Sequence, residues 1–332
     1  MMNRIYQAGI GLVLATGVAA AAADPQLIAL SLPDAKVMAG VQIAQARNSP
    51  FGQYMLSQAA IPATQLDQLK TLTGFDPRTD LTEFVVSSTA MPTAAPTNPL
   101  TGTVLLIGRG SFQPTKISNL ASSGGATTTV HKGIYIIVAP NPAAVTPVAG
   151  MVFAVAFLDA STVVAGDRTQ VEAAIDRWIG GTASSGALGA AAASAGASSQ
   201  AWMVVADIQQ LLAALPTAQS GQANPQAAMI QTMLGTISQV SGGISFGDSQ
   251  ISLHASVQAK TAQDAQSLAD ALRFLSSLAT MQQPAGFPTV TPTFTSNGNQ
   301  MEFSAAISEQ QAESLFHQAP QPAAKARPGL KL

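Results

Sequence analysis

The sequence has no cysteine, and that one absence excludes structural disulfides, thiolate metal sites and a lipid-modified cysteine anchor together. It also has little charge. Asp, Glu, Lys and Arg make up 10% of 332 residues, well below the usual quarter, and 15 basic against 17 acidic side chains leave a net charge of −2. Such a chain has no field to gather nucleic acid or anionic lipid, and no basic face with interleaved aromatics, so nucleic acid is excluded as a partner. Histidine is scarce. His131, His254 and His317 are scattered, with no carboxylate or second histidine at ligand spacing, which argues against a histidine metal site or general base. Long apolar runs are missing after the amino terminus, so no integral membrane segment is expected beyond it.

What the chain does have is an apolar content of 47%, enough to bury a real core, and a surface of Ala, Ser, Thr, Gln and Gly that is neutral rather than charged. At the amino terminus Arg4 precedes an apolar run over 5–18, then Ala19 to Ala23, then Asp24-Pro25. That order is the n-region, h-region and small-residue cleavage site of a secretory leader, so residues 1–23 are expected to be a signal peptide cleaved after Ala23. The mature chain is then expected to be periplasmic or secreted.

Beyond the leader, strand and helix patterns alternate twice. In the first half, strands are expected at 37–43, 83–88, 103–108, 134–139, 152–158 and 162–165. Helices are expected at 51–58, 66–72 and 114–120 and around Glu172. The second half offers strands at 202–206, 244–246, 251–259, 289–295 and 301–307, with helices at 208–215, 225–239, 262–281 and 309–317. Gly247-Asp248 and Asn297-Gly298 predict two hairpins. The halves align in pieces: Met38, Ile43 and Gln45 fall on Met203, Ile208 and Gln210 at one offset, and Asp167, Gln170 and Glu172 fall on Ser308, Gln311 and Glu313. The expected fold is therefore α+β: two pseudo-repeated units of mainly antiparallel sheet with helices packed on one face. The units span 24–179 and 201–318, joined by an Ala/Gly/Ser-rich connector over 180–200 that can hold a short helix at 187–195, since Ala is the best helix former. Pro-rich loops occupy 91–99 and 140–147, and the basic tail 319–332 is expected to be disordered.

Each stretch that looks reactive has a plainer structural explanation. Gly243, Ser245 and Gly247 fit the pattern of a hydrolase nucleophile elbow, but that chemistry needs a strand, a turn and a helix, and here a second strand follows. Gly108 and Gly110 open like a dinucleotide-binding loop, but the third glycine position holds Gln113. Met229 and Met233 are one helical turn apart, as thioether ligands for copper would be, yet Ile230, Leu234 and Ile237 continue the same apolar stripe. Trp178 and Trp202 flank the connector and either line a cleft or fill the seam between halves. Phe51 and Tyr54 share a helix face that is expected to dock on the first sheet. The charged cluster of 161–178 reads as a strand-to-helix joint: Asp167 is placed as N-cap with Gln170 at the capping-box position, and Arg168 and Glu172 are spaced as an exposed pair.

Ser49-Pro-Phe-Gly-Gln-Tyr-Met-Leu-Ser-Gln58 after the first strand, and the strand-plus-helix stretch 153–177, give the chain its family likeness. Together with the leader they make it one that resembles uncharacterised exported bacterial proteins built from a duplicated α+β domain of unknown function. The resemblance covers about 27–318 and implies no activity, cofactor or catalytic residue. The leading expectation is an exported non-enzymatic binding or scaffolding protein whose partner is a protein or envelope component. The alternatives are a hydrolase using carboxylates such as Asp159, Asp167 and Glu172, and a methionine-based metal carrier. No catalytic, cofactor or metal residue is assigned.

Overall fold

The computed structural model describes residues 22–58, 63–90, 102–140, 152–181, 186, 188–206, 208, 234–247, 250–281 and 292–311. The expected leader up to residue 21, the Pro-rich loops over 91–99 and 141–147, most of the helices expected at 208–215, 225–239 and 309–317, Met229, Met233, His317 and the basic tail lie outside the described residues.

The chain opens with α1 (Pro25–Ala29), whose N-cap Asp24 accepts a hydrogen bond from the Gln26 N–H, and enters β1 (Val37–Val41). Four short helices follow: α2 (Ile43–Ala46), α3 (Pro50–Gln58), α4 (Ala63–Thr73) and α5 (Pro77–Asp80). Next come β2 (Leu81–Ser88), β3 (Val104–Gly110) and α6 (Pro114–Ser123). Four strands then meander, β4 (Thr127–His131), β5 (Ile134–Val138), β6 (Phe153–Phe157) and β7 (Thr162–Asp167), and lead into α7 (Arg168–Gly180). The connector carries α8 (Gly189–Ser198). The second half contributes β8 (Ala201–Ala206), β9 (Ile237–Phe246), β10 (Gln250–Ala259), α9 (Ala262–Met281), β11 (Thr293–Asn297) and β12 (Gln300–Ser308).

The α+β class and the mainly antiparallel sheet are as the sequence predicts, but both halves share a single twelve-stranded sheet in the order β11-β12-β10-β9-β8-β1-β2-β3-β7-β6-β5-β4. β1 and β8 pair antiparallel at its centre, with Val37 opposite Val205 and Gly40 opposite Trp202. Counting outward from that seam, each half runs first strand, second, third and then last, so that β3 pairs with β7 as β10 pairs with β12.

The core lies on the face of the sheet covered by α1, α7 and α8. Leu27, Leu105, Ile136, Ile175 and Trp202 are buried there, and each large apolar side chain withdrawn from water stabilises the fold by about 1.5–3 kcal/mol. α9 packs elsewhere. Ala265, Leu268 and Ala269, at helical spacing, meet Val257 and Met301. Met301 and Glu302 are consecutive strand residues and point to opposite faces, so α8, which together with Glu302 lines a cleft beside β9 to β12, and α9 lie on opposite sides of the sheet.

Several local differences from the sequence reading have physical causes. Residues 237–239 are strand rather than helix, because β9 is held by ladders to both β8 and β10 although its sequence alternates poorly. The strand β4, unforeseen in Thr127-Thr-Thr-Val-His131, forms because Lys132 (φ 47) and Gly133 (φ 85) make the doubly left-handed turn of a tight hairpin. α3 docks on the second half rather than the first: Phe51 is 2% exposed and packs with Ile251, Ile307 and Phe246. Among the described residues no helix is long and apolar enough to cross a membrane.

Candidate functional site

Beside α8, strands β9 to β12 present a face that no described helix covers. Antiparallel register arranges its side chains in two ranks. Thr293, Ser304, His254 and Gly243 stand opposite one another in one rank, and Thr295, Glu302, Ser256 and Ser241 in the next. Each rank crosses four strands at about 4.8 Å spacing, so about 14 Å in all. Ser194, Ser198 and Ser199 of α8 and its exit turn wall one side, closing a cleft of about 330 Å³. Its polar surface is therefore almost entirely hydroxyl, with one carboxylate, Glu302, one imidazole, His254, and the amide of Gln300, which donates to Ser256 Oγ.

Hydroxyls, an imidazole, a carboxylate and an amide give this cleft hydrogen-bond donors and acceptors of both senses. His254 and Glu302 are diagonal neighbours on adjacent strands, about 7–8 Å apart at the backbone, and no hydrogen bond joins their side chains. Ser199 Oγ is buried against Gly243, which has no side chain to occupy that space, and it has no hydrogen-bond partner among the described residues. A buried hydroxyl left unmatched costs about 1–3 kcal/mol, which an incoming donor or acceptor can offset.

A second polar cluster lies under α1. Glu83 is in phase with Val85 on the core side of β2 and is 9% exposed. The Asp24 N–H donates to both of its carboxylate oxygens, at 3.0 and 3.2 Å. Arg109 stands directly opposite Glu83 on β3, yet its guanidinium donates to Asp24 Oδ2 (3.0 Å from Nε), Gln26 Oε1 and Thr162 Oγ1. Burial, reinforced by the Asp24 carboxylate, pushes the Glu83 carboxyl above its ordinary range, against the opposing pull of the Asp24 N–H and Arg109. The sequence reading missed this cluster. Its available signal was a charged residue in step with the apolar positions of a strand.

The residues singled out from the sequence are dispersed. Asp159 accepts the Ser161 N–H at 2.7 Å in the β6–β7 turn, while Asp167 is at the far end of β7, five residue steps or about 17 Å along the strand. That exceeds the separation of paired carboxylates in glycoside hydrolases. Asp167 caps α7 through the Thr169 N–H, and Glu172 accepts Arg168 Nε at 2.8 Å. Ser245 continues β9 into the β10 hairpin and bonds the Ser198 carbonyl, without the helix of a nucleophile elbow. Gly108 and Gly110 belong to β3, between antiparallel neighbours. His131 Nε2 meets Asp176 Oδ1 at 2.7 Å, and His254 lines the cleft. Trp202 is buried in the main core beside the β1–β8 seam, and Trp178 packs against that core. Among the described residues no group of three His, Cys, Asp or Glu side chains is placed to hold a metal.

Fold and site thus define the class: a mixed α+β protein on one large antiparallel sheet with a hydroxyl-lined cleft. No family model matches the sequence, and no curated protein does. Among solved structures, crystal forms I and IV of TP0453, a Treponema protein, are similar at 12% identity. They cover 89% and 90% of this chain and 97% of the other, with TM-scores of 0.45 and 0.46. Crystal form III is similar at 11% identity with a TM-score of 0.46, covering 89% of this chain and 98% of that one.

Proposed function

We propose that the chain is an exported, non-enzymatic binding or scaffolding module that takes a neutral, hydroxyl-rich polymer, a polysaccharide of the cell envelope, along the cleft beside α8. One observation carries the reading: two aligned ranks of Ser and Thr hydroxyls, with a third set from α8, face a common space. A hydroxyl both donates and accepts, so a wall of them can satisfy sugar hydroxyls in either sense. The lone carboxylate Glu302 disfavours anionic polymers. Residues 1–23 serve as the leader in this reading. The units 24–179 and 201–318 are copies joined through 180–200, and the common outward strand order supports that duplication.

Calorimetric titration of the exported protein with neutral oligosaccharides tests the proposal. Saturable binding that weakens in Ser256→Val and Glu302→Gln variants is expected; absence of binding to every neutral saccharide overturns it. Turnover of ester, peptide or glycoside substrates that disappears with Glu302→Gln would contradict the non-enzymatic reading.

A further inference from the structure

The cluster under α1 is short of one positive charge. Glu83 and Asp24 contribute two carboxylates and Arg109 one guanidinium, and among the described residues no other ionic side chain perturbs Glu83. Arg109 gives its hydrogen bonds to Asp24, Gln26, Ser161 and Thr162 and none to Glu83. The buried carboxylate is left with a single backbone N–H, shared between its two oxygens. A carboxylate on the core side of a strand is costly without a charged partner. Asp24 is meanwhile fixed at every polar group: its Oδ1 accepts the Gln26 N–H at 2.8 Å, its Oδ2 accepts Arg109, and its nitrogen faces Glu83.

We infer that the Ala23–Asp24 peptide bond is the processing site of this chain and that Glu83 is the receptor for the α-ammonium released there. The inference rests on reading residues 1–23 as a leader. Hydrolysis by a leader peptidase consumes one water: the carbonyl carbon of Ala23 takes the hydroxyl and departs as a carboxylate. The Asp24 nitrogen keeps the bonding electrons and gains two protons. The resulting ammonium is formed at a nitrogen already 3.0 and 3.2 Å from both Glu83 oxygens, and the four-group cluster becomes neutral. Free α-amino groups titrate at about 7.7–8.0, so this one is charged at neutral pH even before the pair raises it further.

Cutting one bond earlier gives a poorer result. The Ala23 nitrogen donates to the Gly196 carbonyl at 3.0 Å, so an ammonium there would meet a neutral acceptor and leave Glu83 unpaired. Removing Ala23 costs that hydrogen bond and a methyl seated over Gly196, which an ion pair at Glu83 offsets. Leader removal precedes folding, so the burial of Ala23 in the uncut chain does not protect the bond.

The complete chain should be expressed, its exported form isolated and its intact mass measured. A chain beginning at Asp24 is expected. A chain beginning at any other residue after the leader overturns the inference while leaving the leader reading intact, and a chain retaining residues 1–23 overturns both. On the processed protein, acylation of the α-amine at pH 7 should be slowed relative to the same protein in urea, by about tenfold for each unit the pair raises the amine pKa. Glu83→Gln should restore fast labelling of Asp24 with the lysines unchanged. Equal native and unfolded rates in the wild-type chain, a comparison that needs no variant, overturn the ion pair.

Discussion

Gly40 lies directly opposite Trp202 across the central β1–β8 pairing, and a Cβ at position 40 would fall 2.5 Å from Cε2 and Cζ2 of the indole. Gly196 of α8 also approaches the same indole closely, since a Cβ there would lie 2.9 Å from its Nε1. Two glycines form the slot that holds a 3% exposed tryptophan at the join of the two halves. Gly40→Ala is expected to cost about 1–3 kcal/mol through overpacking, read as a lowered urea midpoint with a shifted tryptophan emission. An unchanged midpoint would mean that the seam repacks freely.

Phe51 joins the first half to the second by entering between Ile251, Ile307 and Phe246. Its ring lies 5.7 Å from that of Phe246. Phe51→Ala should cost about 3–5 kcal/mol, as fully buried phenylalanines do. Urea unfolding followed by tryptophan fluorescence and by far-ultraviolet circular dichroism checks it, and a loss below about 1 kcal/mol would place the side chain outside a packed core.

Asp167 starts α7 by accepting the Thr169 N–H at 3.0 Å. Asp167→Ala should lower stability by about 1 kcal/mol, whereas Asp167→Asn should be nearly neutral because Asn caps equally well. Thermal unfolding of both variants separates capping from charge. Saccharide binding should be unaltered in either.

Asp76 gives a pH signature. Side-chain hydrogen bonds from Arg78 foremost, then the Arg78 N–H and Lys70, hold its carboxyl far below the usual range despite the opposing effect of burial. A carboxyl depressed in the folded state stabilises the protein above its unfolded value of about 3.9, and that contribution drains away as pH falls below it. Asp76→Asn should therefore destabilise at pH 6, with the gap to the wild type narrowing steadily from about pH 4 down to about pH 2. Parallel stability curves down to that pH would refute the assignment.

How much was legible varies by element. Asn297-Gly298 announced the β11–β12 hairpin, and Gly298 takes the positive φ of 58 that such a turn needs. The second strand-to-helix joint is a reciprocal capping box: Ser308 N–H donates to Gln311 Oε1 at 2.9 Å, and Gln311 N–H donates to Ser308 Oγ at 3.3 Å. The corresponding Gln170 does not close such a box on Asp167, which caps alone through Thr169. The cleft was not legible, because Thr293, Ser304, His254 and Ser241 each read separately as the wet side of an amphipathic strand. Nor was the partnership of Glu83 with Asp24, 59 residues apart.

By itself the sequence determined what period and local hydrogen bonding determine: the alternation of strands and helices, their caps and turns, the α+β class and the absence of thiol chemistry. Those signals act over a few residues and survive without a partner. Only the tertiary structure decided that two halves share one sheet, that α3 crosses to the second half, and which polar side chains face one another. Strand pairing sets those neighbours between segments far apart in the chain, and the free energy of each contact depends on what lies opposite it.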